Sequence, residues 1–224
     1  MAAGDANGPP PLPLFSTRGA PMKPMLALLP VLAVAVPFAS MAQTSAEIVS
    51  LGRGNGILVD QSAANAAAVD VQQIGDGNAL AVTQVGSGQS ARLTIHGSAN
   101  DIRLNQGGSG ANGVELSLTG DGHLGRLDQF ADAGGSNMML LDQSGAANFA
   151  TLSQTAYVGM NEMSLRQHGQ DNSATMTQNG DDNRLALTQN GDGNAAALSQ
   201  TGNGLGLALT QTGGAAITIT QTAH

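Results

Sequence analysis

The chain has no cysteine and no tryptophan, one tyrosine and four phenylalanines among 224 residues. Without thiols there are no disulfides and no thiolate metal sites, although secretion stays open. A conventional globular core of this length would draw on more large aromatic side chains. Positive charge is also scarce: lysine occurs once, at Lys23, and the formal net charge is −8. Nothing forms the basic patch that a phosphate backbone requires, which argues against nucleic acid as a partner.

Long apolar runs are missing too, with one short exception. Leu26 to Phe38 is apolar, follows Lys23, and precedes Ser40 and Ala42, small residues at −3 and −1 of a cleavage site. That is the pattern of a secretory signal, too short to span a bilayer comfortably. Pro30 and Pro37 oppose reading it as a core helix. The preceding stretch, 1–21, has a disordered composition. The expected organisation is a disordered extension plus signal over 1–42, a short mature N-terminal segment over 43–49, repeats over 50–221 and a tail over 222–224. The exported product is then acidic and free of lysine.

What remains is rich in Gly, Ala, Asn, Gln, Ser and Thr, and it repeats. One polar position, the Gln slot, holds Gln61, Gln73, Gln84, Gln106, Gln129, Gln143, Gln154, Gln167, Gln178, Gln189, Gln200, Gln211 and Gln221. Ser50, Ile95 and Leu118 fill it in degenerate copies. Six residues before it lies a second polar position, the Asn slot: Asn55, Asn78, Asn100, Asn112, Asn137, Asn148, Asn161, Asn172, Asn183 and Asn194. Ala67, Gln89, His123, Leu205 and Ala215 replace Asn there. The six-residue step never varies, whereas the return from a Gln slot to the next Asn slot is usually five and ranges from four to eight. A fixed even interval marks a strand in register. A variable, Gly-rich interval marks a turn that tolerates insertion.

Alternation supports the strands. The second and fourth positions after each Asn slot are hydrophobic throughout except at Gly125, and none is charged. The intervening positions carry residues such as Asp70, Arg92, Arg103, Glu115, Glu162 and Arg184. One face is therefore buried and the other wet. A helix is excluded by the period and by the recurring glycines. A strand and a turn make an 11-residue half-repeat, and two half-repeats make a coil of about 22 residues. Such a coil cannot bury its apolar stripe alone. The predicted fold is all-β: a β-solenoid of cross-β type, built of stacked strand-turn-strand coils. Stacking sets Gln over Gln and Asn over Asn, so the inward amides bond along the stack as in cross-β ladders. The glycines of Gln-x-Gly, at Gly75, Gly86, Gly145, Gly169, Gly180, Gly191 and Gly202, are expected to provide the positive φ of the turns.

Gln189-Asn-Gly191-Asp-Gly193-Asn194-Ala-Ala196-x3-Gln200 resembles the curlin repeat of curli subunits, Gln-x-Gly-x-Gly-Asn-x-Ala-x3-Gln. Gln143–Gln154 and Gln167–Gln178 fit without the second Gly, and the resemblance extends over about 50–221. It implies a secreted fibre subunit that crosses the inner membrane by its signal and the outer membrane by a dedicated pore with accessory factors. Outside the cell, such subunits polymerise with themselves and a companion subunit into amyloid fibres of biofilm matrix, on the cell surface, with roles in adhesion and colonisation. The chain departs from the major subunit in lacking a long Gly-rich segment after the cleavage site. It has only three residues after Gln221 and few before Ser50, so neither end of the stack is expected to be capped. After Arg184 the one charged residue is Asp192, which makes Leu185–Gln221 the expected start of templated growth.

Other functions are disfavoured by the residues. The outward carboxylates are scattered among opposite charges, no Ser-His-Asp set stands out, and the protein is not expected to be an enzyme or to bind a small-molecule substrate or cofactor. His96, His123, His168 and His224 lack zinc-site spacing. Asp76, Asp121, Asp181, Asp182 and Asp192 invite a calcium reading, but the calcium-binding nonapeptide has a different period. A soluble extracellular solenoid that binds ice or calcium, or serves as an adhesin, is the alternative. Thr83, Thr94, Thr177, Thr188, Thr210 and Thr220 recur at one outward position, but Asp60, Asp128, Asp142 and Arg166 interrupt that row.

Overall fold

Among the described residues the alternating pattern folds as strands, with no helix. The computed structural model describes residues 33–35 and 44–223. The signal-peptide reading lies outside these residues except at Ala33–Ala35. The strands are β1 (Ala33–Ala35), β2 (Ser45–Leu51), β3 (Gly56–Asn65), β4 (Ala68–Ile74), β5 (Ala79–Ser87), β6 (Gln89–His96), β7 (Asp101–Gly108), β8 (Ala111–Asp121) and β9 (Leu124–Ala131). They continue as β10 (Ser136–Ala146), β11 (Phe149–Ala156), β12 (Met160–Gln170), β13 (Ser173–Asn179), β14 (Arg184–Asn190), β15 (Ala195–Thr201), β16 (Gly206–Thr212) and β17 (Ala216–Thr222).

Two parallel sheets form. One runs β1-β3-β5-β7-β9-β11-β13-β15-β17 and the other β2-β4-β6-β8-β10-β12-β14-β16. They are called the odd and even sheets below. Each coil contributes one strand to each, so the molecule is a solenoid of about eight turns. At a strand spacing of about 4.8 Å the stack is roughly 38 Å long. Fifteen strands were expected from Asn55 onward. The structure adds β2 upstream, which contains the degenerate Ser50 slot and completes the first coil with β3, and before it the short β1. Coil length runs from 21 residues, Ala195 to Ala216, to 25, Leu124 to Phe149, and averages nearer 23 than 22. The strand registers hold throughout these changes, apart from a bulge between Asp60 and Ala63, because the extra residues are looped out in the turns.

The core is a pair of columns of like residues. Val59, Val82, Leu104, Leu127, Leu152, Met176 and Leu198 stack along the odd sheet, opposite Val71, Leu93, Leu116, Leu141, Leu165 and Leu187 of the even sheet. The one inward glycine, Gly125, has a packing reason: a Cβ there would lie 2.8 Å from Ile102 Cδ1, with Leu127 and Leu141 side chains close behind. Neighbouring branched side chains already occupy its place.

Candidate assembly site

The Gln slots of the odd sheet form one unbroken chain of amides. Gln61 Nε2 donates to Gln84 Oε1 at 2.8 Å, Gln84 to Gln106 at 2.7 Å, and Gln106 to Gln129 at 2.9 Å. The chain continues from Gln129 to Gln154, Gln178, Gln200 and Gln221 at 2.8–3.0 Å. Each Nε2 has a second proton, and it is used across the coil. Gln178 donates to Glu162 O at 3.1 Å, sixteen residues back at the start of the preceding even-sheet strand. Gln84, Gln106, Gln129, Gln154 and Gln200 do the same with Ala68, Ser90, Gly113, Met138 and Arg184. The Gln side chain therefore ties coil to coil and sheet to sheet. The cross-sheet bond was missed in the sequence, although the constant separation of an inward amide from the preceding strand start was there to be read.

The even sheet behaves differently. Gln143, Gln167, Gln189 and Gln211 form a chain at 2.6–2.8 Å. Before Gln143 the column reads Ser50, Gln73, Ile95, Leu118, and those four neighbours do not bond. Gln73 is therefore not a ladder rung as expected. It is fully buried between Ser50 and Ile95, and neither of its amide atoms makes a hydrogen bond among the described residues. Gln143 Oε1, which faces Leu118, is left without a partner by the same interruption, and Ser50 Oγ has none among the described residues. An apolar side chain in the slot offers its neighbour nothing to accept or donate.

The Asn slots brace the turns. Asn78 Nδ2 donates to Asn55 Oδ1 of the preceding coil and to Gly97 O of the following turn. Asn55 Oδ1 also accepts the backbone N–H of Asn78 at 3.0 Å. Asn100, Asn148, Asn172 and Asn194 repeat parts of this pattern in the odd sheet, and Asn112, Asn137, Asn161 and Asn183 in the even sheet. Leu205 and Ala215 sit in the last coil and still donate their N–H groups to Asn183 and Asn194.

His123 takes an Asn place in the odd column and is buried. Its N–H donates to Asn100 Oδ1 at 2.8 Å, and its Nδ1 accepts the N–H of Asn148 at 3.3 Å. Nδ1 must then be unprotonated, leaving the proton on Nε2, which faces Thr119 O at 3.3 Å. Burial lowers its pKa below the usual histidine value, against the opposing pull of Thr119 O and the Asp121 carboxylate.

The turn glycines named above all have positive φ. At Gly180 (φ +123°) a Cβ would also land on the carbonyl oxygen of Gly202 in the next coil, so both conformation and close stacking demand glycine. The turn aspartates act on the stack as well. Asp76 Oδ1 accepts Arg53 N–H at 2.7 Å, Asp121 accepts Ser98, Asp182 accepts Met160, and Asp192 accepts Gln170. Asp181 Oδ1 accepts three successive N–H groups, from Tyr157, Val158 and Gly159, at 2.7–3.0 Å. Burial pulls its pKa up, but those three donors outweigh it and hold the carboxyl below its usual range. These carboxylates already serve backbone donors of the preceding coil, which gives their recurrence in turns a structural cause. The surface ion pairs Arg92–Asp70 (3.4 Å) and Arg184–Glu162 (3.5 Å) are exposed and contribute little.

Among the described residues, a sheet edge is unpaired at each end of the stack. β16 and β17 have a partner strand on one side only, as does β2. Gln221 Nε2 has a single weak partner, Gly206 O at 3.4 Å, and Gln61 Oε1 has none among the described residues. The odd amide chain thus ends in a spare donor at one end of the rod and a spare acceptor at the other. β1 covers part of the β3 edge, opposite Leu58–Asp60.

A family model described as Curlin associated repeat matches residues 161–189 and 180–213. No curated protein and no solved structure matches the chain.

Proposed function

We propose that this curlin-repeat protein is a secreted structural subunit, not an enzyme, that polymerises head to tail into extracellular curli-type amyloid fibres. Its roles on the cell surface are then biofilm matrix, adhesion and colonisation. The observation that carries the reading is the matched polarity of the two ends. A second copy placed beyond the last coil sets its β2 on β16 and its β3 on β17, continuing both sheets in the order already established. Gln221 Nε2 of one copy then meets Gln61 Oε1 of the next, and the odd amide chain runs on through the junction. An end-to-end contact between different surfaces does not close, so it grows a filament. Open parallel edges provide the backbone hydrogen bonds.

Export fits the same scheme. β1 belongs to the segment read as a secretory signal, so cleavage after Ala42 frees the whole β3 edge for the incoming copy. The outer-membrane pore, its accessory factors and a companion subunit are the partners this reading requires. The uncharged strands after Arg184 form the end that starts growth. Calcium is the weaker reading, since the turn carboxylates are already engaged by backbone N–H groups.

The test is incubation of the purified chain lacking residues 1–42. Thioflavin-positive fibres with a reflection at about 4.8 Å support the proposal. A soluble monomer that persists for days at high concentration overturns it.

A further inference from the structure

The sheet assignment separates outward positions that are interleaved in the sequence. Asp142 and Arg166, which seemed to interrupt the threonine row, lie on the even sheet. Asp60 and Asp128 lie on the odd sheet, but only in its first half. The outward face of β11, β13, β15 and β17 therefore carries no charge. Its central column is Thr151, Thr175, Ala197 and Thr218, in direct register. The columns beside it hold only Ser, Thr, Ala and Asn, apart from Phe149 at one margin. The even sheet at the same level presents Glu162, Arg166 and Arg184.

We propose that this uncharged face is a lateral docking surface for the same face of a second copy, through which fibres pair side by side. The proposal rests on the head-to-tail assembly proposed above. Charge selects the face. The chain is acidic overall, and most other surfaces would bring carboxylates into contact or strip water from them. Here nothing charged is desolvated, and short Ser, Thr and Ala side chains interdigitate as in the dry interface between paired cross-β sheets.

Area decides when pairing occurs. Four strands spaced by about 4.8 Å and seven residues long at about 3.3 Å each present about 400 Å² per copy. That is well under the roughly 800 Å² per partner of a stable complex. Two unassembled copies therefore do not dimerise through it. In a fibre the patch recurs once per subunit, about every 38 Å, and many weak contacts act together. The charged half of the odd sheet, with Asp101, Arg103, Arg126 and Asp128, separates successive patches and fixes the register of the pair.

Electron microscopy and elongation kinetics of the chain lacking residues 1–42 test this. Wild-type fibres are expected as laterally paired rods. Thr175→Glu fibres and Thr175→Lys fibres should each be single rods that elongate at the wild-type rate. A mixture of preformed Glu and Lys fibres should pair again. Ala186→Glu, on the even sheet, should leave pairing intact. Single rods from wild type, or unaltered pairing in both Thr175 variants, overturn the lateral surface while leaving head-to-tail growth standing. Absence of wild-type fibres overturns both. Arrest of ice growth by the unassembled chain, lost in Thr175→Glu, assigns the hydroxyl face to ordered water and overturns the pairing.

Discussion

One substitution, made in two columns, should change stability in opposite directions. Gln178 and Gln73 occupy the same slot and are both fully buried. Gln178 accepts from Gln154 Nε2 and donates to Gln200 Oε1 and Glu162 O. Replacing it with leucine strands a buried donor on one side and buried acceptors on the other. At about 1–3 kcal/mol for each of the three polar groups left unsatisfied, Gln178→Leu should destabilise by roughly 3–9 kcal/mol. Gln73 has no bonds to lose. Its flanking residues are Ser50 and Ile95, and Leu118 shows that leucine fits this column. Gln73→Leu removes an unpartnered buried amide and should stabilise by about 1–3 kcal/mol. Urea midpoints of the dilute, unassembled chain measure both. Hydrogen exchange at β4 and β13 reads them locally, since a solenoid need not unfold as one unit. A Gln73→Leu variant less stable than wild type, or a neutral Gln178→Leu, would refute the hydrogen-bond reasoning.

Three further outcomes follow from the same contacts. His123 is held neutral, with a folded pKa below its unfolded value of about 6.5, so its contribution is full above that pH and is lost as pH falls through the folded pKa. Acidification should lower the urea midpoint, and His123→Asn, which restores an amide to the column, should flatten that dependence near Asp121. Asp181→Ala releases the N–H groups of Tyr157, Val158 and Gly159 and should cost about 1–3 kcal/mol, whereas Asp181→Asn, which keeps an acceptor oxygen, should cost less by the same assay. Gly180→Ala, which collides with Gly202 O, should destabilise more in thermal melts than Gly204→Ala, whose Cβ meets nothing within 4 Å.

Much of the fold was legible because each level of the sequence agrees with the next. The constant six-residue step, the uncharged inward positions at Ile102 and Leu104, and the glycine that follows most Gln slots all specify a strand followed by a tight turn. Gln73 shows where slot identity stopped being informative. A residue can occupy the right position and still lack a bond, because the bond belongs to its neighbours one coil away. His123 is similar: its spacing places it in the Asn column, but its tautomer follows from Asn148 N–H and Thr119 O.

The sequence by itself determined which residues face inward, where the chain turns, and that coils must stack, since these depend on local period and on apolar stripes that no single coil can bury. The tertiary structure decided which half-repeats share a sheet. Successive strands go to opposite sheets, so residues eleven apart are separated and residues about 23 apart become neighbours. That sorting leaves the odd amide chain whole and breaks the even one. It also gathers the uncharged strands β11, β13, β15 and β17 into one face. Adjacency across a stack is set by coil closure, a property of two half-repeats and their turns together that neither half-repeat contains alone.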